Sequence, residues 1–405
     1  LKLLKIIHLL VFLLVITTSN YLIAKDSFVI INGGTILTIT KGTLTNKSVL
    51  IKNGKIVEIA EGIKIPDGAL VIDAKDKIVM PGMIDLLAHI ATMGSSWKWD
   101  EANERSSLLT PQLDIMDSID RQHEDFKSAL SGGVTTVLIT PGSRNIIGGK
   151  QALLKCCGPD MESKIIKREA GMKFGIYRKK NESHGIYPST MMGLCTFLRD
   201  SFNDAREYAI GLKAWEETDK KTPRPRNQIM DSLVKLLSGE VASRMHAESA
   251  QEIMIAINIA DEFNLKLDLI HALDAYKLID EISSRHINVI YGPIHPAYSN
   301  DTFQSPALLD KAGVKLCLTT DSPVFPQKHL RYQAIFAVRY GMKKESALKA
   351  ITINPAEIVG MSDRLGSIEV GKDADIVIFD GHPLDIMSKV ELVLVDGKVC
   401  YRKKS

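Results

Sequence analysis

Four residues far apart in the chain carry side chains able to hold a metal ion or move a proton: His89, His246, His271 and Asp321. Each follows an apolar run, over residues 83–88, 241–245, 267–270 and 314–320 respectively. A buried strand that ends in a polar side chain is how an α/β barrel presents chemistry, because the loops at the C-terminal ends of the strands form its mouth. One such residue alone is as readily a hydrogen-bonded histidine or a helix cap. Four, on different strands, point to a metal site or its remnant. Three imidazole nitrogens and one carboxylate satisfy a single tetrahedral divalent ion, zinc above all, and a carboxylate beside bound water is within reach of its proton. Positions 87 and 89 share one face of their strand, but Leu87 has no lone pair to offer, so only His89 binds from there.

These residues need elements to position them. Between 81 and 363, strand-like runs (134–139, 267–271, 288–291, 314–319) alternate with helical patterns (251–263, 276–285, 306–312). That alternation implies an α/β fold with a parallel sheet and helices outside it. Over such a length, a distorted (β/α)8 TIM-like barrel is favoured over an open sheet. One or two further strands are expected between 171 and 240, at positions the pattern does not fix. Short β-rich runs fill 28–72 and return at 375–379 and 390–399; Asn53-Gly54 marks a tight hairpin between two of them. Neither set is large enough alone, so residues 25–80 and 364–405 are expected to build one composite β-sandwich, with the barrel over 81–363 inserted between them.

The net charge of +3 is spread along the chain, and with no dense basic block nucleic acid is excluded as a partner. Residues 1–24 read as a signal peptide or, if uncleaved, an anchor: Lys2 and Lys5 precede an apolar run from Ile6 to Ile16 that is shorter than the ~20 residues of a spanning helix. Export to the periplasm or the medium is expected, with membrane contact only through that segment. Cys156, Cys157, Cys195, Cys317 and Cys400 are odd in number and lack C-x-x-C spacing, so buried free thiols are expected rather than a disulfide framework.

Several segments resemble the amidohydrolase superfamily, in particular its imidazolonepropionase-like branch with the related Xaa-Pro dipeptidases. Pro81-Gly82-Met83-Ile84-Asp85 resembles the lead-in to the first barrel strand; Gly133-Val134-Thr135-Thr136-Val137 with Pro141-Gly142-Ser143 resembles the second-strand region. Met245-His246-Ala247-Glu248, Asp268-Leu269-Ile270-His271 and Thr319-Thr320-Asp321-Ser322-Pro323 resemble the fifth-, sixth- and eighth-strand segments. Residues 345–356 and 366–375 resemble the C-terminal signatures. The resemblance implies hydrolysis of a carbon–nitrogen bond with one or two divalent ions, His246 and His271 as core ligands, His89 as a supporting ligand and Asp321 as proton shuttle. It also sets departures in relief. Leu87 stands where the first-strand histidine is expected, Arg178 falls without gaps where relatives carry a metal-binding glutamate, and Ser322 stands where histidine often follows the aspartate. Glu182, or a carboxylated Lys173 or Lys213, offers a substitute donor.

Two functions follow for a small-molecule ligand. One is a hydrolase of a cyclic amide, acylated amine or peptide-like substrate through a mononuclear site; the other is an inactive relative that binds a small molecule or partner at the barrel mouth. Trp97, Trp99, Glu101 and Glu104 either wall that mouth or pack over it, and His295 is a loop histidine. Gly148-Gly149-Lys150 lacks the spacing of a phosphate loop.

Overall fold

The computed structural model describes residues 26–93, 100–177, 187–218, 220–295, 297 and 299–404. The targeting segment, Trp97, Trp99, Arg178 and Glu182 lie outside the described residues. Eight strands form one sheet: β1 (Met83–Ala88), β2 (Val134–Ile139), β3 (Ile147–Lys155), β4 (Ile165–Gly175), β5 (Ser243–Ala247), β6 (Leu267–His271), β7 (Asn288–Tyr291) and β8 (Leu316–Leu318), hydrogen-bonded in that order. Beyond β8 the chain returns to β1 through a parallel bridge between Ala88 and Ser322, where the His89 amide donates to the Ser322 carbonyl at 2.8 Å. The α/β barrel is therefore nearly closed, and its interior is filled by Ile84, Leu86, Leu87, Leu138, Ile270 and Cys317.

One expectation needs correction: the sheet is not parallel throughout. β3 runs antiparallel to both β2 and β4. Residues 140–146 link β2 to β3 with no crossover helix, and so short a link can only reverse the chain, since a parallel return needs a dozen residues or more. The stretch 171–240 contains the end of β4 and the helices Met191–Glu216 and Gln228–Leu237. β4 escapes a sequence reading because Lys167, Arg168, Glu169 and Lys173 break its apolar pattern.

The outer helices follow from local sequence. Ala250–Phe263 starts at a capping box, Ser249 with Glu252, buries Ile253, Ala256, Ile257, Ala260 and Phe263 on one face, and stops at Asn264 in the left-handed region. Burying each large apolar side chain there contributes about 1.5–3 kcal/mol.

Both termini build the remaining sheets. Ile78–Pro81 pairs antiparallel with Ile376–Phe379 in a six-stranded sheet, and a four-stranded sheet is formed by Phe28–Asn32, Ser48–Lys52, Lys55–Ala60 and Leu70–Asp73. Ile31, Ile51, Ile72, Val79, Ile376 and Leu394 share a single core. Asn53 (φ 50°) and Gly54 (φ 81°) form the hairpin turn as their residue types require. Lys155, at the end of β3, is buried and donates to Asp373 at 2.8 Å, to Asp375 at 3.2 Å and to Asp396, which ties the barrel to this layer. Burial opposes its charge, but the three carboxylates outweigh it and raise its pKa.

The thiols also depart from expectation. Cys157 and Cys400 form a disulfide (S–S 2.05 Å, Cα–Cα 6.2 Å), while Cys156, Cys195 and Cys317 are free. The partners are 243 residues apart, so no local spacing announces them; the barrel and the last strand bring them together. Among the described residues no helix is long and apolar enough to cross a membrane.

A cross-link closing so long a loop restricts the unfolded chain, and Cys400→Ser is expected to lower stability by about 2–4 kcal/mol. Denaturant unfolding with and without reductant checks this. Reductant should weaken the parent protein and leave the variant unchanged, whereas equal stability under oxidising conditions would show that the bridge contributes nothing.

Candidate functional site

His89, His246, His271 and Asp321 all lie at the C-terminal ends of β1, β5, β6 and β8, and each is held in a defined way. His89 Nδ1 is 2.7 Å from the Thr140 carbonyl at the end of β2, and its Nε2 is 3.3 Å from Asp321 Oδ1. His271 Nδ1 is 2.6 Å from the Gly292 carbonyl. A carbonyl accepts only, so in both rings Nδ1 carries the proton and donates it. His271 (φ 67°), Ala272 (φ 47°) and Asp321 (φ 48°) adopt the left-handed backbone that L-residues avoid, at a cost on the order of 1–3 kcal/mol each. The turns aim these side chains at the mouth instead of continuing the strands.

The His89–Asp321 contact is informative. With Nδ1–H committed to Thr140, a neutral His89 would present a lone pair to an anionic oxygen. The contact is attractive only with a second proton or a metal ion between them. Burial works against an anion at Asp321, but the bond from His89 and the positive potential of His271 and Lys173 hold its pKa down at about 2.

His246 is engaged at both nitrogens: Nδ1 lies 2.8 Å from Ser143 Oγ and Nε2 3.2 Å from Glu248 Oε1. Its ring centroid is 4.2 Å from that of His271 and 5.0 Å from that of Tyr177. Burial, then the adjacent His246, draws the His271 pKa down to about 4, so His271 is neutral at physiological pH.

Lys173 of β4 lies within the same mouth. Its amine is buried without a hydrogen-bond partner, and burial draws its pKa down to about 8. Its charge acts on Asp321 and on His271, one member of each histidine-containing pair. Lys213, by contrast, is exposed on the helix Met191–Glu216, and His295 is exposed with its ring 5.8 Å from Phe325. Among the described residues no three His, Cys, Asp or Glu side chains already converge as a ligand set. One layer below, Arg244 and Asp268 form a buried pair at 3.1 Å.

Asp85 underpins the arrangement. Buried in β1, it accepts from Thr319 Oγ1 (2.5 Å), Thr320 Oγ1 (2.7 Å), the Thr320 amide (3.1 Å), Gln327 Nε2 (2.6 Å) and the Leu87 amide (3.1 Å). Burial pushes its pKa up to about 6, which still leaves it an anion at neutral pH. Asp85, Thr140, Ser143, Glu248 and Gly292 have no site role in the sequence reading. Only Asp85 has a signal there, as a lone carboxylate inside an apolar strand.

A model of the Amidohydrolase family matches residues 297–400. An amidohydrolase of Thermotoga maritima has the same fold, with a TM-score of 0.87, 34% sequence identity, and coverage of 93% of this chain and all of that one. The imidazolonepropionase of Fusobacterium nucleatum is 23% identical over 88% of this chain and 92% of its own length. Amidohydrolase tasK of Hapsidospora irregularis is 25% identical over 86% of this chain, which spans only 39% of that longer protein. A solved prolidase complexed with N-methylphosphonate-L-proline shares the fold at a TM-score of 0.58 and 18% identity. The chain belongs to the amidohydrolase superfamily, as an imidazolonepropionase-like member, and the kinship supports a hydrolase of carbon–nitrogen bonds.

Asp85→Asn puts an amide nitrogen among groups that themselves donate. It is expected to cost about 2–4 kcal/mol of stability, measured by urea unfolding. A change below roughly 0.5 kcal/mol, the range of an uninvolved surface position, would show that this carboxylate does not hold β1 to the β8 turn.

Proposed function

We propose that this chain hydrolyses a carbon–nitrogen bond in a small cyclic amide, acylated amine or peptide-like molecule, with one divalent ion, zinc first, at the barrel mouth. The observation that carries this reading is the His89–Asp321 contact, which is attractive only with a second proton or a metal ion between the two groups and which a bound divalent ion would satisfy. His271 has the same preparation: Nδ1–H is anchored on a backbone carbonyl, which fixes the tautomer and leaves Nε2 to donate its lone pair, as metal-binding histidines require. His89, His246, His271 and Asp321 would hold the ion, which when bound would lower the pKa of water and polarise a carbonyl.

Lys173 decides whether that donor set fits. As an ammonium it repels a cation. Yet its amine has no acceptor to keep its proton, and with a pKa near 8 the neutral form is readily reached. A neutral amine adds to carbon dioxide, releasing a proton and forming a carbamate, which replaces the repelling charge with an oxygen donor. On this reading a carboxylated Lys173 supplies the donor that Leu87 cannot, since Leu87 is packed among Ile84 and Leu86. Asp321 stays ionised and accepts the proton of attacking water, returning it to the leaving nitrogen. The Cys157–Cys400 bridge supports export to an oxidising compartment.

Metal analysis after loading with zinc or manganese in bicarbonate buffer tests the proposal. About one equivalent is expected in the parent protein, with loss of the ion in Lys173→Met. Hydrolysis of N-acyl amino acids, cyclic amides or dipeptides should fall at least ~100-fold in Asp321→Asn. Less than about a tenth of an equivalent under these conditions would sink it. In that case the buried Lys173 cation would favour the alternative, a protein that binds a small carboxylate without turning it over.

A further inference from the structure

We propose that the open side of the β-sandwich, between the strand Leu70–Asp73 and the last strand, Lys398–Arg402, binds an extended acidic peptide by strand addition. The four-stranded sheet ends at Leu70–Asp73 and the six-stranded sheet at Lys398–Arg402, so both strands are edges. Leu392 pairs with Arg402 and Leu394 with Val399, and directly opposed residues share a face of their sheet. Leu392 and Leu394 are buried in the core between the sheets, yet Val399 is 37% exposed and Arg402 is open to solvent. The inner face of the last strand therefore continues past the cover that the four-stranded sheet supplies. A groove of about 450 Å³ lies at this side, with Ile378 and Leu392 in its floor and Ile72 in its wall.

The wall offers unpaired backbone. Leu70–Asp73 bonds to Phe28–Asn32 alone, in parallel, and the Ala74 amide donates to the Asn32 carbonyl at 2.9 Å. Successive residues of a strand turn their N–H and C=O groups to opposite sides in the plane of the sheet. Residues 70, 72 and 74 thus face that neighbour, while Val71 and Asp73 face the groove. Among the described residues no strand pairs with the edge they present. Such an edge is a template for one more strand, and proline, which would blunt it, is absent from 70–73. The Asp73 side chain alternates with that of buried Ile72, so it turns to the outer face, where it accepts from the Lys75 amide at 2.9 Å.

Charge decides what the added strand carries. Lys77 is paired with Glu391, and Lys403 lies 3.6 Å from Asp380, whereas Arg402 and Lys404 form no ion pair among the described residues. Both of these cations line the groove. A strand added there lies ~4.8 Å from Leu70–Asp73 and ~10 Å above the six-stranded sheet, and its side chains alternate between the two faces. Those turned inward meet the apolar floor and the two cations; those turned outward meet Val71 and water. The segment that fits places apolar and acidic residues on its inward face and neutral residues on the other. Backbone bonds supply its affinity, and Arg402 and Lys404 supply the choice of partner.

The experiment uses the full chain and a short fluorescein-labelled peptide in which threonine alternates first with valine and then with glutamate, read by fluorescence anisotropy. Saturable binding is expected, weakened at least ~10-fold by Arg402→Glu combined with Lys404→Glu. Val71→Pro removes an edge donor without touching the bonds to Phe28–Asn32, and should weaken binding by about 10-fold. Circular dichroism and urea unfolding show whether each variant is folded. Two further peptides, N-methylated on one or the other set of alternate residues, probe the backbone bonds in the unaltered protein. One should bind at least ~10-fold more weakly and the other like the parent peptide. Equal binding of both, or of a polyglutamate of the same charge, would reduce the groove to an anion site and overturn strand addition. Absence of saturable binding to the folded protein overturns it as well. So does sedimentation showing that the edges are already joined in a dimer that Val71→Pro dissociates.

Discussion

The structure depends on a buried carboxylate that joins the first barrel strand to the turn after the last. Asp85 gathers the hydroxyls of Thr319 and Thr320, the Thr320 amide and the Gln327 side chain, all from the segment around Asp321. A buried charge is costly unless its lone pairs are filled, and here donors from both ends of the barrel fill them. The closure it enforces places His89 beside Asp321. Together with the bond from the His89 amide to the Ser322 carbonyl, it holds the turn that keeps Asp321 at φ 48°.

The functional groups fall into two sets. His89 and Asp321 form one pair and His246 and His271 the other, while Lys173 acts on Asp321 and on His271. A buried, unpaired amine is an unstable choice for a protein unless something compensates it. Three compensations suit this environment: deprotonation, conversion to a carbamate, or an anionic ligand. Each would relieve the burial of that charge. The Leu87 side chain extends the apolar interior.

Much of this was legible from residue order. The apolar runs before His89, His246, His271 and Asp321 are real strand ends, and the hairpin at Asn53-Gly54 and the pairing of terminal segments follow from turn chemistry and β-rich texture. What stayed hidden has physical causes. β3 reverses because its link to β2 is short, a feature of loop geometry that periodicity does not report. The Cys157–Cys400 bridge and the grip of Lys155 on Asp373, Asp375 and Asp396 depend on contacts between residues hundreds of positions apart. Ser143 and Glu248 looked like parts of family-like segments; their relation to one imidazole exists only after folding.

The Lys155 cluster also gives the C-terminal signature a mechanical meaning. Asp373 and Asp375, at the end of the family-like stretch 366–375, are anchors for a cation from β3, and Asp373 further binds Arg364 at 2.9 Å. Burial pushes the Asp375 pKa up to about 6, so its ionisation is held by Lys155 and not by water. β3 is the reversed strand, and it therefore leaves the barrel at the end opposite the mouth, where its last residue reaches the layer built from both termini. A segment specific to the family thus serves the scaffold, while the residues that set the chemistry lie at the other end of the barrel. The two sets answer to different physical demands, one to burial of a charge and the other to the chemistry at the mouth.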